Sequence, residues 1–183
     1  MNIHFLILYI LCFNCALRSD TSPSYFIKAS PQEISLIKQE LYVFYAKELF
    51  TAGLYQTEEE ALKNAIEECE SSLDPDSIYY NIATEGESNS GYFIYSIKDK
   101  TAFIDSIFLK ENFRGLGIGK QVLQNLEKEL MEQEIYEIEL YVFAHNQAAY
   151  TLYKKMGYLV QNAYYQNSKF MGSKMKKVIK EDN

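Results

Sequence analysis

The sequence predicts one mixed α/β domain, a single sheet with helices packed on it. Three observations carry this. The chain has 183 residues, 48% of them apolar and 23% charged, which suits one hydrophobic core and is short for two. Two helix starts, Ser30-Pro31-Gln32-Glu33 and Thr57-Glu58-Glu59-Glu60, are followed by a change to alternating apolar spacing from Ile78. From Gly117 the spacing turns helical again, then alternates strand and helix to the end, with no internal repeat or linker.

Ahead of the domain, residues 1–17 are apolar apart from Asn2, His4 and Asn14. They are shorter than the roughly 20 residues that span a bilayer. Their length suits a signal-peptide core, but the positively charged start is missing. Residues 1–22 are therefore read as a signal peptide, a structural extension or a start placed too early, with the domain over 23–180. A cytoplasmic protein is expected; export or membrane association through residues 1–19 is the alternative, and a membrane partner is expected only if that segment stays as an anchor. Cys12, Cys15 and Cys69 cannot form a closed disulfide framework, and the Cys12-Phe13-Asn14-Cys15 spacing lacks the second pair or βαβ context of a metal or redox site. No metal is expected. A net charge of −7, from 25 acidic and 18 basic residues, argues against nucleic acid held on a broad basic face.

Each element has its own signal. Tyr25-Phe26-Ile27 is a short strand. Ser30 caps a helix with proline at its first position, and Ile34, Ile37, Leu41, Phe44 and Tyr45 make its apolar stripe, with Gly53 near its end. The helix after Thr57 presents Leu62, Ala65 and Ile66 and runs to about Ser71. Asp74-Pro75-Asp76 is a turn. Strands at 78–84, 92–97 and 101–109, separated by the polar run 85–91 and by Lys98-Asp99-Lys100, form an antiparallel meander with Ile78, Tyr80 and Ile82 on one face. Ile118, Val122, Leu123, Leu126 and Leu130 mark the third helix. Ile138, Leu140 and Val142 alternate with Glu137 and Glu139 in a strand over 135–143. Ala149, Leu152, Tyr153 and Met156 line one side of a helix from about Asn146 to Met156, with Gly157 after its C-cap. Strands near 158–160 and 170–177 complete the sheet.

The chemistry-bearing stretch is Ile107 to Lys120, in which Arg114-Gly115-Leu116-Gly117-Ile118-Gly119 follows a strand and opens a helix. A helix N-terminus leaves amide N–H groups unpaired and carries partial positive charge, glycines let an anion approach the backbone, and Arg114 adds a forked permanent charge. A dinucleotide fingerprint from Gly115 would need glycine where Lys120 stands. A P-loop ending at Gly119-Lys120 would need glycine at Arg114 and Ser or Thr at Gln121. An anion site of another kind remains, beside the alternative that the three glycines only pack the helix closely on the sheet.

Arg-Gly-x-Gly-x-Gly after a strand resembles the acetyl-CoA pyrophosphate loop of the GNAT N-acetyltransferase superfamily. The block Val142-Phe143-Ala144-His145-Asn146 through Ala149, Leu152-Tyr153 and Gly157-Tyr158 is similar to that family's later motif, in the same order and at the same distance. The wording around Val142 to Asn146 is similar to a little-characterised bacterial branch. The resemblance covers residues 101–158. It implies a mostly antiparallel central sheet of about six to seven strands flanked by about four helices.

It also implies roles. The backbone of Ile107, Phe108 and Leu109 would pair with the pantetheine arm at a splay between two strands. Amides of Gly115, Leu116, Gly117, Ile118, Gly119 and Lys120, with Arg114, would hold the pyrophosphate. Asn146 and Ala149 belong to the cofactor side, and Tyr153 would stand near the sulfur and protonate the leaving thiolate. Asp105, placed by simple alternation on the same side of its strand as Leu109, would take a proton from the amine, directly or through water, because an amine of pKa about 10.4 must lose a proton before it attacks. Acetyl-CoA is the implied co-substrate, and a primary amine of a small molecule, polyamine or peptide the implied acceptor. A homodimer is a further implied partner. A non-catalytic acyl-CoA-binding sensor or scaffold is the alternative function. His145 is read as a structural histidine and Cys69 as a buried apolar residue with no depressed pKa.

Overall fold

The computed structural model describes residues 26–84 and 87–179. The readings of residues 1–22 and of Cys12 and Cys15 lie outside them. Among the described residues, seven strands form one sheet in the order β1-β2-β3-β4-β5-β7-β6: β1 Phe26–Lys28, β2 Ile78–Thr84, β3 Glu87–Lys98, β4 Thr101–Leu109, β5 Glu137–Phe143, β6 Leu159–Gln166 and β7 Lys169–Val178. Every neighbouring pair is antiparallel except β4 and β5. Among the described residues, four α-helices accompany it: α1 Pro31–Thr51, α2 Glu58–Ser72, α3 Ile118–Glu132 and α4 Gln147–Lys155.

Local chemistry sets the helix starts. At α1 the Ser30 hydroxyl accepts from the Glu33 N–H, and the Glu33 carboxylate accepts from the Ser30 N–H at 2.8 Å, a complete capping box. At α2 only half forms. Thr57 Oγ1 accepts from the Glu60 N–H, but Glu60 accepts from Gln56 N–H instead of its own cap. The buried face of α2 is Ala61, Ala65 and Cys69, while Leu62 is exposed, a correction to the predicted stripe. Small residues win there because α2 packs closely on α1, where Ala46 and Leu49 meet Ala61 and Ala65.

The sheet has a core on each face. On one, Ile82, Phe93, Tyr95, Ile138, Leu140 and Val142 pack with Ile118, Val122, Leu123, Leu126 and Leu130 of α3, as the periodicity predicts. On the other, Tyr79, Tyr92 and Ile94 pack with Ile37 and Leu41 of α1 and with Cys69. The break before β3 is shorter than predicted, since the strand begins at Glu87. Gly91 lies inside it, paired with Ile82 and Leu109, where a Cβ would run into the Phe108 carbonyl oxygen. It marks a close strand approach, not a turn. β6 is also longer than the three residues predicted. All its side chains are exposed, so no buried face writes an alternation into the sequence.

Candidate active site

The parallel ladder between β4 and β5 runs from Thr101 paired with Glu137 to Ile104 paired with Leu140, and stops. Beyond that point β4 continues to Leu109 and β5 to Phe143 without pairing to each other, so main-chain groups of both strands face a gap. This is the splay that the resemblance implies. A cavity of about 470 Å³ occupies this region. Its lining includes Ile104, Asp105, Ser106 and Ile107 of β4, Tyr141, Val142 and Phe143 of β5, and Asn146, Ala149 and Tyr153 of α4. From the other side come Phe44, Tyr45 and Glu48 of α1 and Cys69 of α2.

A β-bulge re-aims the centre of β4. Ile94 pairs with Ser106 and Tyr95 with Ile104, which leaves Asp105 as the extra residue. The bulge shifts the alternation. Ala102, Ile104, Ile107 and Leu109 pack in the α3 cluster, whereas Phe108 turns to the α1 face and lies against Tyr92 with ring centroids 5.1 Å apart. Asp105 therefore does not share Leu109's face, and the simple alternation is corrected. Its carboxylate accepts a 3.4 Å hydrogen bond from Ser77, the residue just before β2. Asp105 keeps contact with solvent through the cavity, yet the surrounding protein pushes its carboxyl up to about 6, against the lowering effect of hydrogen bonds from Ser96 and Ser77, with Asp74 adding to the rise.

Tyr153 lines the same cavity with only 8% of its surface exposed. Burial alone raises its phenol to about 12, so it holds its proton at neutral pH. Asn146 is the N-cap of α4, its Oδ1 accepting from the Ala149 N–H at 3.1 Å. That leaves its amide nitrogen as the group available to a ligand.

Between β4 and α3 the chain makes a single turn of 3-10 helix, Glu111–Phe113, and then the glycine loop. Gly115 and Gly117 have φ of +75° and +81°, which side-chain-bearing residues seldom adopt, and a Cβ on either would meet only open space. Gly117 caps α3 with no side-chain hydrogen bond. Among the described residues, none of the amides of residues 115–120 donates to the protein; the first donor afterwards is Gln121, to the Gly117 carbonyl. The role of Gly119 is different. It is inside the helix, and a Cβ there would stand 3.2 Å from Leu152 Cδ2, so it lets α3 approach α4 closely. Arg114 Nε donates to the Leu109 carbonyl at 2.8 Å and its guanidinium lies over the Phe108 ring, which fixes it at the end of β4. The exposed loop thus offers unpaired donors and a fixed cation, which fits a diphosphate.

The predicted site residues lie around the splay, on this loop or, for Ile118, Gly119 and Lys120, in the first turn of α3. His145 pairs through Nε2 with Glu48 Oε2 at 2.9 Å and stacks on Phe143, in keeping with its structural reading. Cys69 is buried and its thiol is pushed up to about 11, first by burial and then by the nearby Glu68 and Asp105 charges. The sequence reading missed the wall made by Phe44, Tyr45 and Glu48. Its only sequence signal is spacing, since these residues continue the α1 stripe one turn past Leu41.

A sequence profile of the acetyltransferase (GNAT) family matches residues 39–158. The chain belongs to that family and is an acyltransferase. It is 34% identical over 137 residues to the "Uncharacterized N-acetyltransferase YdgE" of Bacillus subtilis (strain 168), a match covering 64% of this chain and 80% of that protein. It is 30% identical over 67 residues to the thialysine N-epsilon-acetyltransferase of Bos taurus, covering 36% of this chain and 39% of that protein. Among solved structures, YycN of Bacillus subtilis superposes with a TM-score of 0.69 at 24% identity, covering 78% of this chain and 96% of that one. The PaiA N-acetyltransferase of Thermoplasma acidophilum, solved in complex with coenzyme A, gives 0.59 at 23% identity, covering 84% and 98%. Both likenesses are to the fold. Among the described residues no helix is long and apolar enough to cross a membrane.

Proposed function

We propose that this domain, spanning residues 23–180, transfers an acetyl group from acetyl-CoA to a primary amine by direct attack while both substrates are bound. The observation that carries the proposal is that Asp105 and Tyr153 line one cavity at the splay of β4 from β5, next to a loop whose amides donate to nothing among the described residues. The donors of residues 115–120 and Arg114 would hold the diphosphate, and the open main-chain edge from Ile107 to Leu109 would align the pantetheine arm. Acetyl-CoA supplies the acetyl group as a thioester, and transfer forms a C–N bond as the C–S bond breaks.

Asp105 takes the proton that the ammonium must lose, directly or through one water, and a carboxyl near 6 is ionised at neutral pH to do so. Tyr153 donates a hydrogen bond to the departing sulfur and stabilises its developing charge. Because a thiol pKa of about 8.5 lies well below the phenol's about 12, any proton the phenol passes to the sulfur is replaced by the one the ammonium released, and the hydroxyl ends the cycle protonated. Main-chain N–H groups of the bulged strand polarise the carbonyl. No covalent enzyme intermediate is needed.

Use of acetyl-CoA supports a cytoplasmic site of action. A homodimer is part of the proposal, supported by β6, an eight-residue edge strand without a charged side chain that exposes Leu159, Val160, Tyr164 and Tyr165. The decisive experiment follows free thiol in mixtures of acetyl-CoA with a panel of amines. Turnover that is lost in Asp105→Asn and Tyr153→Phe supports the proposal. Tight coenzyme A binding with no turnover of any amine counts against it and favours a sensor or scaffold.

A further inference from the structure

The cavity carries more negative charge than proton transfer uses. Three carboxylates line it, Glu48, Asp105 and Glu139, against one ammonium, Lys174. Glu139 is satisfied inside the protein, paired with Lys174 at 2.7 Å and with Lys176 at 3.9 Å. Asp105 has hydroxyl partners and a role in catalysis. Glu48 remains. Its side chain is only 15% exposed, and among the described residues its single partner is His145, which contacts one of the two carboxylate oxygens. The second oxygen of that carboxylate has no partner among the described residues and can accept from a cation in the cavity.

The surroundings of Glu48 differ from those of Asp105. Glu48 sits on α1 beside Phe44 and Tyr45 and is tied through His145 to the end of β5, where Phe143 stacks on the imidazole and lies 6.2 Å from Tyr45. Asp105 sits across the cavity on the β4 bulge, tied to β2 through Ser77. One cavity therefore has two carboxylates on separate walls, with aromatic faces near the one that proton transfer does not use. Such faces attract alkylammonium groups.

On the reading of the domain as an amine acetyltransferase, we infer that the acceptor carries two cationic nitrogens. One nitrogen meets Asp105 and becomes the nucleophile; the other binds Glu48 among Phe44, Tyr45 and Phe143. The substrate class is thus an aliphatic diamine or a longer amine with a second positive charge, and Glu48 is its specificity-determining residue. His145 is a positioning residue that holds the Glu48 carboxylate toward the cavity.

The test compares 1,4-diaminobutane with 1-aminobutane, and the other α,ω-diaminoalkanes with their monoamines, in the thiol-release assay. The wild type should favour the diamine of the best-fitting pair by about ten-fold or more in kcat/KM, the value of one charge-assisted contact. Glu48→Gln should remove most of that preference through a raised KM for the diamine, with a smaller change in kcat. Equal use of both members of every pair overturns the inference, as does a preference that survives Glu48→Gln. Acetyl transfer itself would still stand in either case. If Glu48→Gln does not fold, the wild-type ratio alone decides. If no amine turns over, acetyl transfer fails separately, and calorimetry of the coenzyme A complex with the same pairs decides: heat from a diamine but not its monoamine supports the second cation site, and equal or absent heats overturn it.

Discussion

In the loop between β4 and α3, the groups that would meet a diphosphate come from residues 114–120 and are nearly all main chain. The adjoining cavity draws its walls from α1, α2, β4, β5, α4, β6 and β7, and its titratable groups are side chains. The loop depends on backbone conformation, which glycine permits at Gly115 and Gly117. The cavity depends on tertiary placement, above all on a one-residue bulge at Asp105 and the end of the β4–β5 ladder. Substitutions should therefore separate into two kinds, with changes to Asp105 and Tyr153 in the cavity acting on kcat and loop changes acting on cofactor affinity.

The largest expected effect belongs to the cavity. Tyr153→Phe should lower kcat by about 10²-fold while the coenzyme A Kd stays within about two-fold, because only the proton donor is removed. Steady-state kinetics beside calorimetry would check this. An equal loss in Kd would break the division between the regions.

Asp105→Asn should lower kcat by about 10-fold or more and abolish the rise of wild-type kcat/KM as pH passes about 6. A stability effect of opposite sign accompanies it. The carboxyl is raised from 3.8 to about 6 in the folded protein, so its favourable contribution is full below 3.8 and is lost as pH rises through about 6. Asp105→Asn, which stays neutral, should melt at a higher temperature than the wild type at pH 8 and not at pH 3. Thermal melts at both pH values test the sign.

A smaller effect lies on the loop. Arg114→Ala should weaken coenzyme A several-fold at low salt and flatten the salt dependence of Kd, with kcat at saturation little changed. Smallest of all, Gly119→Ala should alter unfolding free energy by less than about 1 kcal/mol, since the helix gains propensity while Leu152 must yield to a Cβ 3.2 Å away. Denaturant unfolding measures it.

Much of the fold was legible because its signals are local. The Ser30 cap, the α3 stripe, the alternation of Ile138, Leu140 and Val142, and the glycines at 115 and 117 each depend on spacing within a few residues. Three things were not legible. The bulge at Asp105 arises from how β3 and β4 pair, so period-2 alternation assigned the residue to the wrong face of the strand relative to Leu109. The small-residue face of α2 reflects close packing on α1, and hydrophobicity alone selected Leu62 instead. Glu48 was not singled out, because its pairing with His145 joins residues 97 positions apart. Local patterns identify the glycine loop, and long-range packing shapes the cavity beside it.

A calorimetric titration of coenzyme A and of pantetheine, which lacks the diphosphate, into the wild type and Gly117→Val tests the loop directly. A β-branched residue at φ +81° must shift the backbone and misalign the free amides. Coenzyme A should bind the wild type and lose about ten-fold or more in the variant, with pantetheine affinity the same in both proteins to within about two-fold. The same coenzyme A Kd in wild type and variant, or no binding to the wild type, would contradict the account.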